Sequence, residues 1–205
     1  MKKLIIAVMA MLPFTALAQD NTWEQPEKNA PATTVNPDQK YLAGAVPIVN
    51  GKVVFKTTIK APGKTRQQIH ALLLEYLTKM TKEPGQFEQS RIVLDGSEDQ
   101  KQVVGIYQEW LVFKNKPLNL DRTRLFYHLI ASIDDGEATI QMTRIYYLYD
   151  EERDAQTYQA EEWITDQYGL NKKQTKLARV SGKFRRKTID RKDYLFSKIE
   201  QLLTK

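Results

Sequence analysis

The chain has 205 residues, 31 lysines and arginines against 25 aspartates and glutamates, a formal net charge of +6, and no cysteine. Without cysteine there are no disulfides, no thiolate metal sites and no cysteine nucleophile. The length suits one domain with an ordinary hydrophobic core, because a domain of about 150 residues buries roughly 68–70% of its unfolded surface.

The first 18 residues have the three parts of a secretory signal peptide. Lys2 and Lys3 give a positive start, residues 4–12 form an apolar run, and 16–18 supply the small-residue Ala-Leu-Ala pattern that a signal peptidase requires. The run is too short for a transmembrane helix, which needs about 20 residues. We therefore expect cleavage after Ala18 and export to the periplasm, the cell envelope or the outside of the cell.

Residues 19–45 hold three prolines among polar residues and few apolar side chains. This composition buries too little surface to offset the entropy of ordering, so it predicts a flexible segment. Trp23 is the exception in it: it is either a docking aromatic or a stray exposed ring, and we favour the exposed ring. Order should begin near Val46, which makes 46–205 a single predicted domain.

A strand and a helix open the predicted domain. Residues 53–60 alternate as a strand does. Thr65 followed by Gln68 is a capping box, which predicts the start of a helix, and the Pro-Gly pair at 84–85 ends it. The apolar stripe of this helix consists of Ile69, Leu72, Leu73, Tyr76, Leu77 and Met80.

Four extended runs rich in Val, Ile and aromatic residues follow, at 91–94, 102–113, 124–133 and 138–149. Their short polar connections predict an antiparallel meander. The last two runs are partly apolar on both faces. The second face is therefore expected to form a dimer interface, to bind an apolar or carbohydrate ligand, or to lie under residues 150–187. On the last run, Tyr146 and Leu148 are expected on the same side as Ile140 and Met142.

Helices and charges dominate the C-terminal part. A short helix is predicted over 158–168, followed by a basic stretch at 172–192. The final helix is predicted to begin at Asp190, and its apolar stripe is Leu195, Ile199, Leu202 and Leu203. The predicted fold class is α+β: a curved antiparallel sheet of about five strands, with two amphipathic helices on one face.

The opening of the domain resembles a known family. Residues 46–55 read Val-Pro-Ile-Val-Asn-Gly-Lys-Val-Val-Phe before the capped helix, and 160–166 and 182–190 look like the family's C-terminal region. The family, domain of unknown function 4468, consists of exported Gram-negative proteins. The resemblance implies a fold like that of the TATA-binding protein, in strand–helix–four-strand–helix order, and it implies no activity.

No motif in the chain supports catalysis. His70 and His128 lack the neighbouring ligands of a zinc site, and there is no nucleophile elbow, P-loop or dinucleotide fingerprint. The carboxylates at 95–99 and 134–135 are typical of turns. We expect no metal and no cofactor, and we favour a protein that is not an enzyme, with an unrecognised hydrolase as the weakest alternative.

Two binding hypotheses remain. The first is a cell-envelope module that holds an envelope protein or a small apolar or carbohydrate ligand on its sheet face or C-terminal segment. The second is a binder of anionic lipid or glycan through the basic stretch, unless acids at 161, 162 and 166 neutralise it. Export argues against nucleic acid. The candidate binding residues are Lys183, Phe184, Arg185, Arg186, Lys187 and Arg191.

Overall fold

The computed structural model describes Asn21, Trp23, Glu24, and residues 36–117 and 119–205. The predicted signal peptide and its cleavage site lie outside these residues. The strands are β1 (Ile48–Val49), β2 (Lys52–Val53), β3 (Phe55–Lys60), β4 (Arg91–Leu94), β5 (Gln102–Lys116), β6 (Asn119–Asp134), β7 (Glu137–Tyr149) and β8 (Gln156–Gln159). The α-helices are α1 (Arg66–Met80), α2 (Asp166–Gly169) and α3 (Gly182–Thr204), and short 3₁₀ turns cover Gln39–Tyr41 and Ala160–Glu162.

The main sheet is antiparallel throughout and has the strand order β3-β7-β6-β5-β4. β8 pairs with the end of β7, beyond the point where β3 stops, so the sheet has six strands. β1 and β2 form a separate small hairpin. The predicted α+β class, with its meander of long strands, is confirmed, and the sheet has one strand more than expected.

Both long helices pack on one face of this sheet, which we call the core face. Along β6 the side chains on this face are buried, from Thr123 to Ile133 at every second position. They form one apolar cluster with the buried stripes of α1 and α3. The opposite face of β5, β6 and β7, which we call the open face, is half-exposed along its length.

Helix α1 begins where the capping box predicts. The Thr65 hydroxyl accepts a hydrogen bond from the Gln68 backbone N–H, and the Gln68 side chain accepts one from the Thr65 N–H. Two orphan donors of the first turn are thus satisfied. Four residues of the predicted stripe are fully buried, namely Ile69, Leu73, Leu77 and Met80, while Leu72 and Tyr76 are half-buried.

A β-bulge changes the side-chain pattern of β7. Phe126 is paired with Tyr146 but His128 with Thr143, so β7 carries one extra residue between these pairs. The backbone there includes Arg144 at a φ of 53°. One extra residue moves all later side chains to the other face. The prediction that Tyr146 and Leu148 share a face with Ile140 and Met142 is therefore wrong.

The C-terminal helices differ from the prediction. Residues 156–159 form strand β8 because they can pair with the free edge of β7, and the 3₁₀ turn Ala160–Glu162 and the one-turn helix α2 follow in place of the predicted helix. Helix α3 begins at Gly182 and not at Asp190. Its buried stripe already starts at Phe184 and continues through Thr188 and Arg191. The polar members of this stripe hide its helical period in the sequence.

Part of the segment 19–45 packs on the domain. Trp23 is 8% exposed, which contradicts the expected exposed ring, and it lies beside Tyr194 of α3. The Asn21 side chain donates to the carbonyl of Val112 and accepts from its N–H, at 2.8 Å each. Tyr41 is buried too, and its hydroxyl donates to Asp190.

Candidate functional site

The open face carries an unusual number of large side chains for a surface away from the helices. Seven of its half-exposed residues are apolar or aromatic, and three are basic. Because strands hold alternate side chains at fixed spacing, these groups form a preorganised surface. The apolar members are Val104, Ile106, Trp110, Phe126, Ile130, Tyr146 and Leu148, and the basic ones are Arg122, Arg124 and His128.

Two arginines lie over aromatic rings at one end of this face. The guanidinium carbon of Arg122 is 3.8 Å from the Trp110 ring centroid, and that of Arg124 is 4.0 Å from the Phe87 centroid. Phe87 and Trp110 contact each other, with centroids 5.1 Å apart. At these distances each guanidinium is attracted by the quadrupole of the ring. Arg122, Arg124, Phe87 and Trp110 thus form an arginine–aromatic cluster.

Two acids from the loop after β7 border the cluster. Glu151 accepts from Arg124, and Glu152 accepts from Arg122 at 2.9 Å. Arg124 Nε and Glu151 Oε2 are buried but have no hydrogen-bond partner in the described part of the protein. Buried polar atoms are normally satisfied, so the Arg124 Nε–H remains an unused donor and Glu151 Oε2 an unused acceptor. A cleft of about 410 Å³ opens beside them, between Trp110, Arg122, Leu148 and Glu152.

A second aromatic pair lies nearer the middle of the face. The rings of Phe126 and Tyr146 are stacked with centroids 4.2 Å apart and an interplanar angle of 8°. His128 follows Phe126 on the same face, next to the bulge. Burial lowers the pKa of His128 below its usual value of 6.5, and the nearby positive charge of Arg144 lowers it further. His128 is thus harder to protonate than an ordinary histidine.

Residues 150–187 pack at the edge of the sheet and on its core side, and they do not cover the open face. After Glu151 and Glu152 touch its border, β8 joins the sheet edge, and the chain then packs on the core side. Ala160 and Ile164 are fully buried there, and Tyr158 stacks on Trp163 at 3.8 Å beside Phe184. The alternative in which this segment covers the second face is therefore wrong.

The candidate basic residues at 183–191 are mostly engaged inside the fold. Phe184 is buried among aromatic rings, including Phe113 at 4.6 Å and Tyr147 at 5.1 Å. Lys183 binds Asp121 at 2.6 Å, and Arg186 binds Asp38 at 2.7 Å. Lys187 forms an ion pair with Glu24. These cations are neutralised by acids that are distant in the sequence.

Arg185 and Arg191 are fully buried. Arg185 donates to the carbonyls of Tyr41, Leu42 and Ile164 and to the Asp166 carboxylate, at 2.6–2.7 Å. Of the three acids predicted to pair with the basic run, Asp166 does so, whereas Glu161 accepts from the backbone N–H of Val53.

Arg191 forms a bidentate pair with the buried Glu109, with both N–O distances 2.8 Å. The Gln86 side chain donates to the same carboxylate. The Trp23 ring lies over the guanidinium at 5.4 Å from its centroid and closes this pair from solvent. The two buried arginines therefore act as structural links and not as a binding surface.

Other candidate chemistry is weak. His70 is buried in α1, and its Nε2 lies 2.6 Å from the Asp95 carbonyl oxygen, which ties α1 to the loop after β4. Within the described residues, no three His, Asp or Glu side chains are grouped to hold a metal, and no helix is long and apolar enough to cross a membrane.

Comparison with known proteins identifies the family. A family model described as a domain of unknown function (DUF4468) with TBP-like fold matches residues 55–148. A crystal structure of a DUF4468 family protein from Bacteroides ovatus ATCC 8483 is 38% identical to this chain, with a TM-score of 0.75 over 82% of this chain and 96% of that one. The chain belongs to the DUF4468 family.

A second structural match supports the fold of this DUF4468 member. A TBP-like protein from Parabacteroides distasonis ATCC 8503 is 19% identical, with a TM-score of 0.61 over 77% of this chain and 96% of that one. A search of curated proteins found no match. The family has no known function, so its function has to be argued from the surface. The matched residues 55–148 run from β3 to β7 and include all strands of the open face.

Proposed function

We propose that this DUF4468 protein is a non-catalytic binding module of the cell envelope that holds a protein partner on its open face. The supporting observation is the row of Trp110, Phe126 and Tyr146 with arginines, on the side of the sheet away from both long helices. Trp, Tyr and Arg are the side chains that most often dominate binding energy at protein interfaces.

Charge suggests the character of the partner. Lys56, Arg91 and Arg144 lie around the open face, are exposed, and form no ion pair within the described residues. The exposed Glu88 on the bordering segment offsets part of this charge. A second copy of the chain would bring like charges together across a two-fold axis, whereas an acidic segment would complement them. The proposed partner is therefore an acidic polypeptide.

Site-specific photocrosslinking in cells tests this function. A photoreactive amino acid at Gln108, on the open face, should give discrete protein adducts, and the peptides joined to it should be acidic. The matched control is the same amino acid at Glu75, an exposed position of α1 on the other side of the molecule. Equal adducts at both positions, or none at Gln108, would contradict the proposal.

A substitution gives a second check. Ile130→Asp places a charge in the middle of the open face without touching the core. It should abolish the adducts at Gln108 and leave the melting temperature within a few degrees of the wild type, since half-exposed positions tolerate polar groups. Adducts that persist in this variant would contradict binding of the partner at the open face.

A further inference from the structure

Four basic side chains in the first part of the basic stretch form no ion pair within the described residues. Residues 172–180, which we call the basic loop, contain Lys172, Lys173, Lys176 and Arg179, and all four side chains are exposed. None of them takes part in an ion pair within the described residues. In contrast to 183–191, these cations face solvent.

No acidic residue lies close to the basic loop in the sequence. There is no Asp or Glu between Asp166 and Asp190. Asp166 is held by Arg185 and by the Gly44 N–H, and Asp190 by Tyr41 and Lys40. The four charges are therefore available to an external anion at long range.

Apolar side chains lie at the base of the same loop. Val180 is 56% exposed and Tyr168 is 45% exposed, among the most exposed large apolar residues of the described chain. The Ser181 hydroxyl donates to the Tyr168 carbonyl at 2.5 Å, which brings the two backbones together. Cations beside exposed aromatic and aliphatic groups are typical of surfaces that lie in a membrane interface.

The loop is also anchored to the domain. The Asn171 side chain accepts from the N–H groups of Thr175 and Lys176, at 2.9 and 3.2 Å. Leu170 is buried and forms an isolated bridge with Leu177. A loop held in this way loses little conformational entropy when it binds.

We propose that the basic loop docks on an anionic membrane surface, with its four cations at the lipid phosphates and Tyr168 and Val180 among the headgroups. Each basic residue near such a surface strengthens binding about fivefold, and the effect declines within a Debye length. A soluble acidic glycan would use the cations but would leave the apolar pair exposed, so a bilayer fits better. This site is separate from the open face.

Vesicle co-sedimentation of the purified protein tests the proposal. The protein should bind phosphatidylglycerol-containing vesicles at low salt, should not bind phosphatidylcholine vesicles, and should be released as the salt approaches 1 M, where the Debye length is about 3 Å. Changing Lys172, Lys173, Lys176 and Arg179 to Glu should weaken binding at least tenfold. A wild-type protein that stays in the supernatant would overturn the proposal.

The matched control changes the same amount of charge elsewhere. Lys79, Lys82, Lys114 and Lys116 are exposed lysines outside the loop. Their substitution by Glu should leave vesicle binding within about threefold of the wild type, because screening limits distant charges. An equal loss in both quadruple variants would show attraction by net charge alone and would overturn the assignment to the loop.

Two further arms separate a bilayer from a soluble anion. Val180→Ser should weaken vesicle binding about threefold without changing retention on a heparin column, because it removes only an apolar contact. Retention on heparin without binding to anionic vesicles would contradict the lipid surface and favour a glycan. The open-face variant Ile130→Asp should bind vesicles like the wild type, so a failed open-face proposal leaves this test unaffected.

Discussion

Two halves of one basic stretch have opposite roles in this molecule. In the basic loop, 172–180, the cations are exposed and unpaired, whereas at 183–191 they are buried or joined to acids. Both halves look alike in composition. A run of basic residues therefore forms a positively charged surface only where no helix or strand turns its side chains toward the core.

The difference arises from secondary structure. Helix α3 repeats every 3.6 residues, so Phe184, Thr188 and Arg191 line one side and must face the sheet. Arg191 can lie there because Glu109 of β5 reaches it, and long arginine stems pack well against apolar neighbours. The basic loop has no such period, and its charges stay in water.

The largest effect should come from Arg191→Ala. It leaves Glu109 buried without its partner, which costs about 3–5 kcal/mol of unfolding free energy. Urea denaturation measures this. The double variant Arg191→Met/Glu109→Leu should recover most of the loss, since apolar replacement of a buried pair is often neutral. A single variant within 1 kcal/mol of the wild type would show that Glu109 has access to water.

Arg185→Lys should have the next largest effect. An ammonium group cannot reach the three carbonyls and the carboxylate that the guanidinium bridges, so buried acceptors are left unpaired at about 1–3 kcal/mol. The loss should loosen Tyr41 and Leu42, detected as faster amide hydrogen exchange at 41–45. Unchanged exchange there would mean that other contacts hold this segment.

A smaller loss is expected for Lys183→Ala. Its ion pair with Asp121 is about a quarter exposed on both sides, so the pair contributes on the order of 1 kcal/mol or less. Any loss should shrink as salt is added, because ions screen this attraction. Thermal unfolding at low and high salt gives the comparison. A salt-independent loss would contradict the assignment of this stability to the ion pair.

The smallest effect should be in the basic loop. Lys176→Ala removes no ion pair or side-chain hydrogen bond within the described residues, so the unfolding free energy of the variant should stay within about 0.5 kcal/mol of the wild type. Amine labelling should modify Lys172, Lys173 and Lys176 faster than Lys183 and Lys187. Similar labelling rates in the two halves would show that their lysines are equally accessible, which would contradict the difference described above.

The sequence predicted elements whose signals are local. The Thr65–Gln68 box, the stripe of α1 and the strand at 91–94 depend on neighbouring residues, and the structure confirms them. Strand β8 could not be predicted in the same way. Its residues are polar, and they become a strand because the edge of β7 beyond β3 offers them hydrogen-bond partners.

The candidate site was predictable only in part. Apolar residues on both faces of β6 indicated a second useful surface, and the half-exposed Phe126 and Ile130 lie on it. The acids that neutralise the basic run were not predictable, since Asp121 and Asp38 lie about 60 and 150 positions away from their partners in sequence. Tertiary contacts of this range leave no periodic trace.

The bulge at Arg144 sets which side chains of β7 face the core. Before it, Ile140 and Met142 point to the core; after it, Ile145 and Tyr147 do. If the same sequence paired with β6 without the bulge, Tyr146 and Tyr147 would exchange surfaces, and the Tyr147 hydroxyl would be separated from Thr188. Deletion of Arg144 would instead remove the extra residue and leave both rings on their present faces. One backbone irregularity thus decides which aromatic rings this DUF4468 member displays.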